Sequence, residues 1–221
     1  MCLYRRKASV ISIGFDIIRF MSLSVLKPTD IILRTPCIPL TKNQLRLNKT
    51  QDEIETLLDF VYGANNKGKD RDVRSTMTVG LSANQVGIAK RISVVDLAIG
   101  RKSYSDIFVL INPEIIWHSK TQVEHVEGCV NLPNIWGYVK RFKKIKVKAL
   151  DRSGNGIMLT MQGWPAILLQ HEIGHLDGEL FIDKIRDPKK AHLVENKEYK
   201  AYKVNKKQWK KFIDVSDLVK S

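Results

Sequence analysis

The sequence predicts an α+β fold in which antiparallel β-sheets surround one central, metal-binding helix. Two observations carry this expectation. Residues 168–178, LLQHEIGHLDG, are apolar ahead of His171 and close on Gly178, as a buried helix with a glycine stop would. Several segments rich in Val and Ile precede that stretch and are joined by turns. On the helix His171 and His175 stand at i and i+4, on one face, close enough for two imidazole nitrogens to hold one ion. Glu172 follows the first histidine. A carboxylate there can take a proton from a metal-bound water and later hand it to a leaving amine. The pattern His-Glu-x-x-His is only moderately specific, because it also falls on amphipathic helices whose histidines merely pack or face water. Two histidines also leave a tetrahedral catalytic site one protein ligand short, so a Cys, His, Asp or Glu is needed from elsewhere.

A chain of 221 residues is long enough for one domain with a substantial core, or a domain with appendages. No apolar run reaches about 18 residues, which argues against a membrane span. Cys2, Cys37 and Cys129 are too few and too scattered for a disulfide framework and point to a reducing compartment. The formal charge of +14 favours polyanions as partners, or serves solubility alone.

Residues 1–22 form a leader or upstream extension. Arg5, Arg6, Lys7 and Arg19 against the single acid Asp16 suit an organelle-targeting leader, and suit equally a translated region ahead of a start at Met21. Residues 21–26 read as the opening strand of a domain covering 23–186. Pro28, Pro36 and Pro39 then mark extended pieces and turns. Residues 50–62 have apolar positions at Ile54, Leu57, Leu58 and Val61, the spacing of an amphipathic helix with an acidic first turn. Residues 65–74 are polar and charged and predict a loop. Residues 78–87, TVGLSANQVG, put small side chains around Gln85, so backbone can approach a ligand while an amide donor is presented; the plainer reading is a turn. Residues 91–96 and 107–112 read as strands, the second ended by Asn112-Pro113. Residues 139–150 alternate Val, Ile and Phe with Lys as one strand with a wet face, 151–156 are its turn, and 157–161 return. Between these strands lies Glu127-Gly128-Cys129-Val130. A lone cysteine is usually a small buried hydrophobe. Following a glycine and preceding the histidine pair, Cys129 is read as the missing ligand.

Three motifs in this order, the glycine-containing segment ending in Gln85, Glu127-Gly128-Cys129, and Gln170-His171-Glu172-x-x-His175, resemble those of peptide deformylase. That family comprises metallohydrolases that remove the N-formyl group from nascent polypeptides. The resemblance runs from about Val25 to about Ile185 and takes in Ile111-Asn112-Pro113-Glu114 and the hairpin 149–156. It implies a deformylase-like fold, with Cys129, His171 and His175 as metal ligands and Glu172 as general acid/base. Gln85 and the backbone N–H of Val130 would stabilise the formyl oxygen. Family members commonly use Fe²⁺ and also work with Zn²⁺, Ni²⁺ or Co²⁺, and one thiolate with two imidazoles suits all of these. The substrate implied is an N-formyl-Met peptide, which would lie against Gly80, Leu81, Glu127 and Gly128. Its Met side chain would be received by Ile167 and Leu168, residues equally readable as ordinary core. The sequence departs from the family pattern at Thr78, where the first glycine is expected, at Asn131 in place of Ser, and at Gly174 in place of Asp. A lost Asp at 174 would remove an anchor that Arg141 could have met.

Residues 187–221 form a basic, partly helical tail with Tyr199, Tyr202, Trp209 and Phe212 interleaved. It reads as a contact to ribosomal RNA, as the basic C-terminal helix of bacterial deformylases makes, or as a helix whose aromatics dock on the domain. Two other function classes compete. One is a generic zinc peptidase with His192 or Glu195 as its third ligand, and the other is an inactive relic that binds RNA or the ribosome. Formylated initiation places the protein in a bacterial-type cytoplasm, phage-infected cells included, or in an organelle interior. The sequence sets no oligomeric state.

Overall fold

The structure is a computed structural model and describes residues 24–62, 79–97 and 106–218. The leader, the loop at 65–74 and Thr78 lie outside the described residues.

At the centre is the helix α4 (Trp164–Leu176), with Pro165 in its first turn and ten buried residues from Ala166 to Leu176. Gly178 follows it with φ 81°, where a Cβ would strike the carbonyl of Arg34 at 2.8 Å. Glycine is the residue that tolerates both conditions. Against α4 lies a five-stranded sheet in the order β1 (Gly80–Ser82), β2 (Ile92–Asp96), β3 (Ile107–His118), β6 (Lys144–Leu150), β7 (Gly156–Gln162). A three-stranded sheet is ordered β4 (Gln122–Cys129), β5 (Leu132–Phe142), β8 (Ala191–Leu193). Within both sheets the strands pair antiparallel. Helix α4 therefore sits among antiparallel sheets, as the sequence predicts.

The first sheet is covered on both faces. On one, the helix α3 (Asn48–Tyr62) packs Ile54, Leu57, Leu58 and Val61 onto Leu81, Ile92, Val94 and Ile111. On the other, Leu168, Leu169 and Ile173 of α4 pack onto Val95, Leu110, Ile145 and Val147. Every residue of β2 is consequently buried, Ser93 and Asp96 included. The second sheet closes a third cluster, in which Leu132, Ile135 and Val139 meet Leu180, Phe181, Ile182 and Ile185.

Several boundaries differ from expectation. Helix α3 begins at Asn48, two residues early, and its first turn carries no acid. Residues 24–27 form no strand; Leu26 instead donates its N–H to the carbonyl of Gln85. The short helix α1 (Ile31–Arg34) lies where extended pieces and turns were expected, and a second, α2 (Lys42–Arg46), follows in a stretch given no assignment from sequence. Strand β3 does not stop at Asn112-Pro113. Asn112 takes φ 51° in a bulge, its side chain accepts from the N–H of Leu40 and donates to the carbonyl of Leu40, and the strand resumes to His118. A proline has no N–H to lose in such an interruption. The single strand expected over 139–150 is two, β5 and β6, in different sheets, with the corner at Lys143. The alternation breaks over Arg141-Phe142-Lys143-Lys144, where Phe142 falls in the phase of the lysines and Lys143 in that of the apolar residues, and this break marks the corner.

Beyond Ile185 the chain returns to the second sheet. Strand β8 pairs Ala191, His192 and Leu193 with Gly137, Trp136 and Ile135. The helix α5 (Tyr199–Asn205) turns Tyr202 inward, where it is 1% exposed and lies 3.0 Å from His192 Nδ1. Trp209 Nε1 donates to the carbonyl of Leu193. Tyr202 and Trp209 thus face the sheet and Phe212 stays about half exposed, while Lys200, Lys203, Lys206 and Lys207 remain in solvent or partly so.

Candidate active site

Three donors from two layers meet where β4 ends beside α4. Cys129 is the last residue of β4, displaced by a bulge after Gly128, and His171 and His175 stand one turn apart on α4. Their ligating atoms lie within 4.8 Å of one another, and they are the one such group among the described residues. His175 Nε2 is 3.1 Å from His171 Nε2 and 3.4 Å from Cys129 Sγ. Tetrahedral coordination at ordinary bond lengths requires separations of about 3.3 Å between nitrogens and about 3.6 Å between nitrogen and sulfur. The donors fit one ion. His192, the third ligand of the peptidase reading, instead bonds Tyr202 and the carbonyl of Lys189, and Glu195 lies on a turn that pairs with Lys197.

His171 is aimed by its other nitrogen. Its Nδ1 lies 2.8 Å from Glu127 Oε2, so that Nε2 faces the other donors. Glu127 is held in turn by Arg141, whose Nε and Nη2 each donate to it at 2.8 Å. All three are buried or nearly so. Burial alone would raise the Glu127 pKa, but the hydrogen bonds from Arg141 and His171 outweigh it and bring the carboxyl down to about 2. Burial likewise opposes charge on His171, yet bonds to Cys129 and Glu127 push it up to about 10. His175 moves the other way, lowered by burial and by the charge of His171, and an ion bound by both rings would displace the proton of His171. Glu127, expected from the sequence to lie against the substrate, is buried between Arg141 and His171 and holds the ring of His171. Arg141 has its partner in Glu127 and needs none at position 174. Gly174 leaves room, since a Cβ there would meet Glu179 Oε2 at an ordinary 3.6 Å.

Glu172 points from α4 at β1. Ser82 Oγ lies 2.8 Å from Glu172 Oε2 and 2.9 Å from the Glu172 carbonyl, with Ser93 Oγ at 3.2 Å. Burial raises the Glu172 pKa, against the opposing charge of His171 and the bond from Ser82. The flank of this carboxylate occupies the space of a missing side chain: a Cβ on Gly80 would come within 2.6 Å of Glu172 Oε1. The space beside Gly80 is thus taken by the Glu172 carboxylate.

Gln85 lies in the 3₁₀ turn Ala83–Val86 and is 2% exposed. Its Nε2 donates to Asn131 Oδ1 at 2.8 Å and lies 3.4 Å from Cys129 Sγ, which puts an amide donor beside the ligand cluster. Val130 follows Cys129 at the β4–β5 turn, its side chain on the α3 cluster. Gly128 lies against the ring of Trp136, 3.0 Å from where its Cβ would be. Leu81 and Leu168 belong to the core clusters, and Ile167 is 4% exposed beside them. Leu168 is thus core, the plainer of its two readings, and Leu81, expected beside the substrate, is core as well. Ser82 and Asn131 were missed as site residues: each is read in sequence only as a small or substituted neighbour, and nothing local announces what its side chain reaches.

A buried helix with His-Glu-x-x-His, a cysteine brought to the histidine pair, and an amide donor beside them define a metal-dependent hydrolase of α+β fold. The polypeptide deformylase family model matches residues 22–191, and the chain belongs to that family. It is 38% identical over 156 residues to the peptide deformylase of Brachyspira hyodysenteriae, covering 70% of this chain and 79% of that one. Among solved structures, the class I type b peptide deformylase of Acinetobacter baumannii with Met-Ala-Ser bound matches with a TM-score of 0.62 at 30% identity, over 74% of this chain and 98% of that one. A peptide deformylase from Legionella pneumophila matches with a TM-score of 0.60 at 34% identity, over 73% and 85% of the two chains. Among the described residues no helix is long and apolar enough to cross a membrane.

Proposed function

We propose that the chain removes the N-formyl group from the N-terminal formyl-Met of newly synthesised polypeptides, with Cys129, His171 and His175 holding one divalent ion. The observation that carries this is the convergence of those three donors beside both the Glu172 carboxylate and the Gln85 amide. A divalent ion there supplies Lewis-acid chemistry, withdrawing electrons from the formyl oxygen and making water acidic enough to lose a proton near neutral pH. Fe²⁺ suits the donor set, as do Zn²⁺, Ni²⁺ and Co²⁺.

Glu172 takes the proton of the attacking water and returns it to the amide nitrogen of methionine as the carbon–nitrogen bond breaks, which releases formate and a free amine. Its buried setting, with one oxygen held by Ser82 and the other against Gly80, favours carrying a proton over remaining charged. Gln85 Nε2 and the N–H of Val130 donate to the oxygen on which charge gathers, and neither has to reorganise when it appears. The Met-Ala-Ser bound by the Acinetobacter structure supports a peptide that begins with methionine. In this reading residues 23–186 carry the chemistry. The lysines left outside when the tail docks support a contact with ribosomal RNA, testable as cosedimentation with ribosomes that falls with salt. A bacterial-type cytoplasm or an organelle interior follows from the substrate.

Formate release from a formyl-Met peptide tests this, using protein prepared anaerobically with Fe²⁺ beside its Glu172→Ala variant. Activity in the first, lost in the second with metal retained, supports the assignment. Inactivity in both, with metal bound, overturns it.

A further inference from the structure

Asn131 is 1% exposed and uses both ends of its side-chain amide. Its Nδ2 lies 2.9 Å from the carbonyl oxygen of Leu26 and 3.2 Å from that of Gln85. A carbonyl only accepts, so the NH₂ of Asn131 must point there and its Oδ1 must point away. That oxygen sits 2.8 Å from the Gln85 side chain and also only accepts, so Gln85 must present its NH₂. At the far end of the same amide the Ser82 N–H donates to Gln85 Oε1 at 2.7 Å. Backbone groups at both ends thus dictate which way round Gln85 lies. One Nε2 hydrogen is taken by Asn131, and the other is left on the side of Cys129 Sγ, 3.4 Å away, where the ligand atoms converge.

We propose that Asn131 is a positioning residue that sets the direction of the Gln85 amide and so aims its second N–H, which here donates to Cys129 Sγ, at the place where the reacting oxygen would sit; this deepens the deformylase reading and rests on it. Asn131 Oδ1 also accepts from Cys129 Sγ at 3.6 Å, a contact that Asn131→Ala removes together with the Gln85 bond, so the cycle with Gln85→Ala is what separates the two. The shorter serine that the family pattern leads one to expect at this position has no NH₂ and cannot span from Gln85 Nε2 to two carbonyls. A serine would therefore leave the amide fixed only at its Ser82 end.

The test is a double-mutant cycle on the metal-loaded full chain, with exchange of the Gln85 side-chain amide protons measured by NMR on the Zn²⁺ form. Asn131→Ala should lower kcat by about 10- to 100-fold with KM changed by no more than about threefold, the size expected when a preorganised donor is misdirected. In a Gln85→Ala background the same replacement should change kcat by no more than about twofold. The Gln85 NH₂ protons should exchange at least about tenfold faster in Asn131→Ala. Asn131→Ser should show the same effects, smaller, and serves if the alanine variant does not fold. Losses that multiply in the double variant, or unchanged Gln85 exchange, would assign Asn131 a structural role and overturn the proposal. Because amide exchange needs no turnover, a wild-type chain that releases no formate would defeat the deformylase reading while the exchange result still decides the clamp.

Discussion

Glu127 is a charge with almost no water around it, and its three hydrogen bonds from Arg141 and His171 are what make that tolerable. Arg141→Ala should cost about 3–5 kcal/mol in a denaturant melt, because it leaves a buried carboxylate half paired. The sign of the pH dependence follows from the lowered pKa. With a folded value of about 2 against an ordinary 4.5, the stabilisation is whole above pH 4.5 and drains away as pH falls towards 2. Melts of wild type and Glu127→Gln between pH 6 and 3 should converge as acidity rises. Cys37 offers a separate check. It is 5% exposed, and burial pushes its thiol up to about 11 despite the nearby Arg91. In the native protein at pH 8 it should resist alkylation, and it should react once the chain is unfolded; mass spectrometry of the labelled peptide distinguishes the two. The His171-Glu172-x-x-His175 pattern is legible locally because its spacing puts both rings on one helix face, whereas Cys129, far from it in sequence, is singled out by the order of the three motifs. The role of Glu127 was not legible, since its contacts reach 14 residues to Arg141 and 44 to His171.

Helix α4 is the element in which pattern and structure agree most fully, yet it contains an apparent flaw at Gly174. Glycine inside a helix gives up about 1 kcal/mol relative to alanine, and the space beside it is open to a methyl group. Gly174→Ala should therefore raise stability by about 0.5–1 kcal/mol with metal binding intact, as read by thermal and urea melts. Strand β3 is the opposite case. Its passage through Asn112-Pro113 depends on two hydrogen bonds to Leu40, 72 residues away in sequence, so local rules stop the strand at a point where tertiary structure carries it on. The corner between β5 and β6 left only a break in the alternation over residues 141–144, which does not say where the chain goes next. Period-two alternation reports a half-buried face without saying which sheet the face belongs to.

For the whole molecule, the C-terminal region is a packed part of the second sheet rather than an appendage. Tyr202 fills a site bounded by Trp136, His192 and Trp209. Tyr202→Ala should destabilise by about 3–4 kcal/mol, detectable by calorimetry, while the metal content of the folded protein stays unchanged. Composition foretold the basic surface and the interleaved aromatics. It could not say that the two would separate, Tyr202 and Trp209 to the sheet and lysines to the solvent, because that choice is made by strand β8 and its partners on β5.

The donors at the centre come from different layers: Cys129 ends a strand of the three-stranded sheet, and both histidines ride on the helix. An ion held among them is a rivet through the molecule as well as a reagent. Unfolded chains lack the assembled donor set, so occupancy should lift the melting temperature in proportion to the logarithm of free metal, and chelation should lower it. Heat resistance then becomes a gauge of loading. In a cell short of the ion, copies without it would be the first to open and be degraded, so the surviving pool would stay enriched in loaded protein.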